Sequence, residues 1–167
     1  GINAIDHNHK SIDLQGATVI PGFTDSHFHL TNLGKQLDTL QLKDCRSPHE
    51  VAEKVLKKSA KMSHNDWIIG FGWDHNKWRD SHFPKADILN SLPISHPIML
   101  NRIDGHSAWV NQKAMELSGL DVAPNPPEGG DIINDCILID NAMNPVQSVM
   151  PKPDESTVGK WINLALK

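Results

Sequence analysis

The stretch VIPGFTDSHFHL, residues 19–30, holds the most informative pattern in the chain. Val19 and Ile20 lead into Pro21-Gly22, a pair that breaks a strand. The residues after the break predict a short strand with alternating faces. On a strand, residues two apart project from the same face, so His27 and His29 can reach one ion while Phe28 packs on the other side. Neutral imidazole is a common zinc ligand, and an open catalytic site needs about three protein ligands plus water. Asp25 shares that face and could hydrogen-bond a ligand imidazole, fixing its tautomer. Asp25 also suits a plain strand-end or turn carboxylate, and spacing alone equally describes two exposed histidines at a strand end. His7-Asn8-His9 repeats the spacing inside a polar turn, with no apolar strand leading into it, and is not expected to bind metal.

Upstream, apolar and polar residues alternate through Ile2, Ala4 and Ile5 and again at Ile12 and Leu14, predicting short strands around the HNHKS turn. Downstream, Leu30, Leu33, Leu37 and Leu40 recur at helical spacing. Ser47-Pro48-His49-Glu50 is a capping box with proline at the first helical position, opening a helix that should bury Val51, Val55, Leu56 and Met62. Asp66–Gly72 is a continuous apolar run, as expected for a strand covered on both faces. A polar loop and a short helix ending before Pro93 come next, then another buried strand, PIMLNRI at 97–103. A helix from about Trp109 to Ser118 should end at Gly119. CILID, 136–140, suggests a short strand, and a last helix places Val158, Trp161, Ile162 and Ala165 on one face. Strand–helix alternation predicts an α/β fold with a parallel sheet. About three βα units are visible, against the eight that close a (β/α)8 barrel.

Composition narrows the function classes. The 167 residues carry 38% hydrophobic and 22% charged residues and a net charge of −4. That balance gives no electrostatic reason for a nucleic-acid or anionic-membrane partner. The densest basic cluster, Lys54, Lys57, Lys58 and Lys61, has the spacing of a solvated helix face. Cys45 and Cys136 lie far apart and are read as reduced thiols of a cytoplasmic protein. Of the remaining histidines, His49, His64, His75, His82 and His96 fall in polar stretches or at a helix start and are expected at the surface. Asp104-Gly105-His106 follows a buried strand, where His106 could face a pocket and Asp104 could orient it or cap the next helix. Trp73 and Asp74 end another strand and could shape a pocket wall, while Trp78 and Trp109 read as packing residues.

Residues 19–30 resemble the first barrel strand of the amidohydrolase superfamily, whose signature runs Pro-Gly, an aromatic or aliphatic residue, then D-x-H-x-H. FGWDHNKW (71–78), LNRIDGHSAWVNQKAMELSGL (100–120) and EGGDI (128–132) are similar, in the same order, to the group of YtcJ-like and N-substituted formamide deformylase-like proteins. Together the blocks span residues 12 to about 142. The resemblance implies a partial (β/α)8 TIM barrel over residues 21–167, with residues 1–20 in a small β-sandwich segment. It implies a metal-dependent hydrolase of carbon–nitrogen bonds, with His27 and His29 as ligands of one or two divalent ions, most simply zinc. In that group a segment G-x-L-x-E-x-A contributes a carboxylate that can bridge metals. Here Cys136 replaces the glycine and Asp140 the glutamate, which makes Asp140 a third, shorter candidate ligand. The family's later histidines and catalytic aspartate have no counterpart after residue 142, so no catalytic residue is assigned within the chain. The 167 residues are expected to be inactive alone, the front part of an enzyme acting on a small-molecule substrate. Uncovered helix faces would favour homo-oligomers. The alternative is a non-catalytic binding or regulatory module that retains the scaffold.

Overall fold

The structure, a computed structural model, describes residues 12–64, 66–122 and 125–167. Its elements run α1 (Leu30–Asp38), β1 (Leu40–Gln41), α2 (Pro48–Ser59), β2 (Ile68–Trp73), α3 (Ala86–Asn90), β3 (Ile98–Arg102), β4 (Ser107–Val110), α4 (Gln112–Ser118), β5 (Gly130–Ile133), β6 (Ile137–Asp140), α5 (Asn144–Val149) and α6 (Glu155–Ala165). Six strands form one sheet in the order β1-β2-β3-β4-β6-β5. The first three are parallel, because helices α2 and α3 carry the chain back between them. The rest pair antiparallel. Only residues 103–106 separate β3 from β4, too few for a crossover helix, so the sheet is mixed where the sequence predicted a parallel one.

The apolar runs land as expected in β2 and β3, and their register decides the two faces. Ile68 pairs with Ile98, and Gly70 with Leu100, facing Val51 and Val55 of α2 and Leu89 of α3. Met99 points the other way, into a second cluster with Val110, Ala114, Leu138 and Val146. The capping box forms, with the Ser47 hydroxyl accepting from Glu50 N–H at 3.2 Å. The Glu50 carboxylate returns to the N–H of Arg46, one residue before the cap, at 2.8 Å. Leu56 was expected inside this helix's buried face and is instead 39% exposed. Trp109, expected to begin a helix, lies in β4 opposite Leu100, and the helix starts only after Asn111. The Asn111 side chain does three jobs: its Oδ1 accepts from Ala114 N–H and Ile98 N–H, and its Nδ2 donates to the His96 carbonyl. His96, expected at the surface, is buried there, with Nδ1 against the Asp66 carbonyl at 2.8 Å. Gly119 closes α4 at φ +71°, the left-handed cap foreseen for it. In the β5–β6 hairpin Asn134 and Asp135 both take positive φ, as a type I′ turn demands.

Residues 12–29 contain no helix or strand, so the strand expected around His27 and His29 does not form, nor do those near Ile12–Leu14 and Thr18–Ile20. A strand needs a ladder partner, and β1, at the edge of the sheet, pairs only with β2. Val19, Ile20 and Phe23 are exposed, with no layer among the described residues to cover them. Residues 1–11, including His7 and His9, lie outside the described residues. No helix among those described is long and apolar enough to cross a membrane.

Helix α6 docks on α1. Gly34 permits the contact: a Cβ there would lie 1.9 Å from the Trp161 carbonyl oxygen. Asp38 ties the pair, accepting from Trp161 Nε1 at 3.0 Å and from the Lys160 ammonium. Burial pushes the Asp38 carboxyl upward, but the bonds from Lys160 and Trp161 outweigh it and hold the pKa below the ordinary value.

Two outcomes follow. Alanine in place of a helical glycine normally gains about 0.5–1 kcal/mol, but here the clash should dominate, and Gly34→Ala should destabilise by about 1–3 kcal/mol in thermal unfolding. Because the folded pKa of Asp38 is lowered, its contribution is present above the ordinary value of 3.8 and is lost as pH falls through the lower folded value. An acid titration should therefore shift the Trp161 indole N–H resonance over that range, and Asp38→Asn should abolish the shift.

Candidate functional site

The two signature histidines lie side by side in the coil leading into α1. Their rings are 5.0 Å apart between centroids and nearly perpendicular, and both side chains are exposed. His29 immediately precedes α1, and its carbonyl accepts from Leu33 N–H at 3.0 Å. Coil geometry and the helix start thus bring the imidazoles together, in place of strand alternation. Phe28 does not pack away from them; it borders the same cavity. Asp25 accepts from the backbone N–H of His27 at 3.0 Å, so it braces the turn that carries the pair.

The pair opens onto a cavity of about 810 Å³, floored by Ile69, Phe71, Met99 and Asn101 from β2 and β3 and edged by Met150–Pro153. Imidazole nitrogens are common zinc ligands, and the two rings are adjacent and exposed. The donor set fits a divalent ion as two ligands. Among the described residues no group of three or more His, Cys, Asp or Glu is placed to hold one. Asp140, the expected third ligand, is engaged elsewhere.

That second place collects most of the other candidates. His106 Nδ1 lies 2.9 Å from Asp140 Oδ1, and Asp140 N–H donates to the His106 carbonyl at 2.9 Å. Asp104 accepts from His106 N–H at 3.1 Å, so it positions His106 through the backbone. Arg102 joins the carboxylates, bonding Asp104 and reaching Asp74 at 3.3 Å. Arg102 was not anticipated; its position at the end of β3, two residues before Asp104, was the available signal. Asp140 holds φ +45° and ψ −117°, a conformation costly for a non-glycine residue. The Asp140 carboxylate, by hydrogen bond and charge, raises the pKa of His106.

Trp73, expected on a pocket wall, is wholly buried. Its Nε1 donates to the Leu100 carbonyl at 2.7 Å and its ring stacks on Trp78 at 5.8 Å, with Trp109 edge-on. A strand-end aromatic is ambiguous in sequence, and here the three indoles pack one core. His75, expected at the surface, tilts over Phe83 at 4.2 Å with Nδ1 buried. Burial, then the nearby Arg102 charge, lowers its pKa.

The sequence matches a family profile described as "Amidohydrolase family" over residues 10–167. YtcJ of Bacillus subtilis (strain 168) is 29% identical over 164 residues, covering 95% of this chain and 31% of that protein. N-substituted formamide deformylase of Arthrobacter pascens is 27% identical over 129 residues, 74% of this chain and 23% of that protein. The crystal structure of an uncharacterized metal-dependent hydrolase from Pyrococcus furiosus superposes with a TM-score of 0.61 at 26% identity, over 87% of this chain and 28% of the other. The chain therefore spans less than a third of the length of these relatives.

The His106–Asp140 pair has a defined pH response. Since the folded His106 pKa is raised, the pair is complete below the ordinary histidine value of 6.5 and is lost as pH rises through the raised value. Asp140→Asn should return the titration midpoint of the His106 ring protons, followed by NMR, toward 6.5; an unmoved midpoint would contradict the contact.

Proposed function

The chain belongs to the amidohydrolase family, and from that membership we propose that the protein hydrolyses carbon–nitrogen bonds, such as amides, in a small-molecule substrate. His27 and His29 hold a divalent ion in this reading, most simply zinc, and further ligands and a general base come from sequence matching the relatives' remaining length. The observation that supports it is the adjacency of the two imidazoles, 5.0 Å apart, at the mouth of a large cavity. The metal-dependent hydrolase neighbour, similar over 87% of the chain, supports the use of an ion. Such an ion, when bound, supplies a Lewis acid and water that ionises near neutral pH. The chain's own part is to present two imidazoles from a coil braced by Asp25 and by the start of α1, and to offer the substrate an apolar floor beside them. We propose the same frame for the fold: α2, α3 and strands β1–β3 as the first part of a (β/α)8 barrel.

With two candidate ligands among the described residues, the second reading is a binding module that kept the scaffold without the chemistry. Zinc titration followed by NMR separates the two. The His27 and His29 ring signals should respond saturably to zinc, and the His27→Ala, His29→Ala variant should lose the response, while His7→Ala, His9→Ala should keep it. Equal zinc binding by the first variant would remove the metal site, and with it the hydrolase reading of this pair.

A further inference from the structure

The floor of the cavity contains one polar side chain among apolar ones. Asn101 is the register partner of Phe71, and both lie near the carboxyl ends of parallel strands on the face that also carries Ile69 and Met99. Its Nδ2 donates to the Gly70 carbonyl through a long bond of 3.4 Å. That bond turns the amide so that Oδ1 is the free end, and no donor among the described residues reaches Oδ1. A half-buried carbonyl oxygen beside an aromatic ring and a methionine gains from an incoming donor, because leaving it unpaired on burial is costly. An amide N–H is such a donor.

Charge adds a second constraint. The described residues lining the cavity include Lys35 and Lys152 and no aspartate or glutamate. Lys43 adds a third ammonium, 5.7 Å above the Phe71 ring. Ammonium groups within the screening length of physiological salt, about 8 Å, disfavour a cationic substrate body on this floor.

Taking the location of the reacting centre from the reading above, we propose that Asn101 is a substrate-binding residue that selects amides bearing an N–H and an apolar, neutral or anionic body. The Oδ1 atom accepts from the substrate N–H, Phe71 packs against the apolar body, and the lysines disfavour a cationic body. An ester or an N,N-disubstituted amide of the same shape lacks the donor and leaves Oδ1 unpaired, the situation in which a polar site discriminates most strongly.

The test uses the whole 167-residue chain without added metal. Acetanilide, N-methylacetanilide and the cationic 4-(aminomethyl)acetanilide are titrated, with NMR reporting at Phe71, Met99 and the Asn101 side-chain amide. Acetanilide should bind about tenfold more tightly than its N-methyl analogue, and the cation more weakly than acetanilide. In Asn101→Leu the N–H preference should vanish while apolar binding remains. Equal affinity for acetanilide and N-methylacetanilide in the native chain overturns the proposal, as does a preference that survives Asn101→Leu. The comparison on the native chain needs no variant to fold. Zinc binding is read independently at His27 and His29, so loss of the metal site leaves this result standing, and failure here leaves the metal site untouched.

Discussion

In a parallel pair, side chains at matched positions are committed together to one face or the other, and a slip of one residue would exchange the faces. The pairing of Ile68 with Ile98 through Phe71 with Asn101 makes that commitment for the whole molecule. One face supports α2 and α3 and the tryptophan core. The other carries Met99 toward α4 and α5 at one end and leaves Phe71 and Asn101 bare beside the imidazoles at the other. Apolar burial and the cavity floor are thus two results of one register.

Elements with their own local instructions were legible in sequence. Ser47-Pro48 and Glu50 start α2 through caps any chain would use, and Gly119 ends α4 because it alone adopts the left-handed conformation cheaply. Continuous apolar runs marked β2 and β3. What sequence could not show was pairing. The turn at residues 103–106 reverses the sheet, and Trp109 joins a strand because Leu100 lies opposite it, a fact about its neighbour and not about itself. The segment before α1 differs in the converse way: a strand-like pattern forms no strand, because among the described residues no ladder partner lies beside it.

The site divides similarly. His27 and His29 were found by spacing and family likeness, and the structure brings them together for a different local reason. The structure groups Asp74, Asp104 and His106, which the sequence places at strand ends, with Asp140, which the resemblance offers as a metal ligand. Arg102, the cation that bonds two of these carboxylates, carries no motif of its own. Trp73 and His75 show the limit most plainly. An aromatic or an imidazole at a strand end reads the same whether it turns outward or into the core, and only packing against Trp78, Phe83 and Trp109 decides.

The three bonds of the Asn111 side chain carry a consequence for how the molecule opens. They join the start of α4, the first residue of β3 and the backbone of His96, three segments distant in sequence, through a single carboxamide. Such a cross-tie makes local fraying of any one segment break bonds in the other two. The His96 loop, the head of β3 and the first turn of α4 therefore belong to one cooperative unit of native-state hydrogen exchange, with closely matched protection in all three. Among the described residues the cavity-facing coil before α1 makes no such side-chain tie to the sheet, so its exchange should not be coupled to that unit.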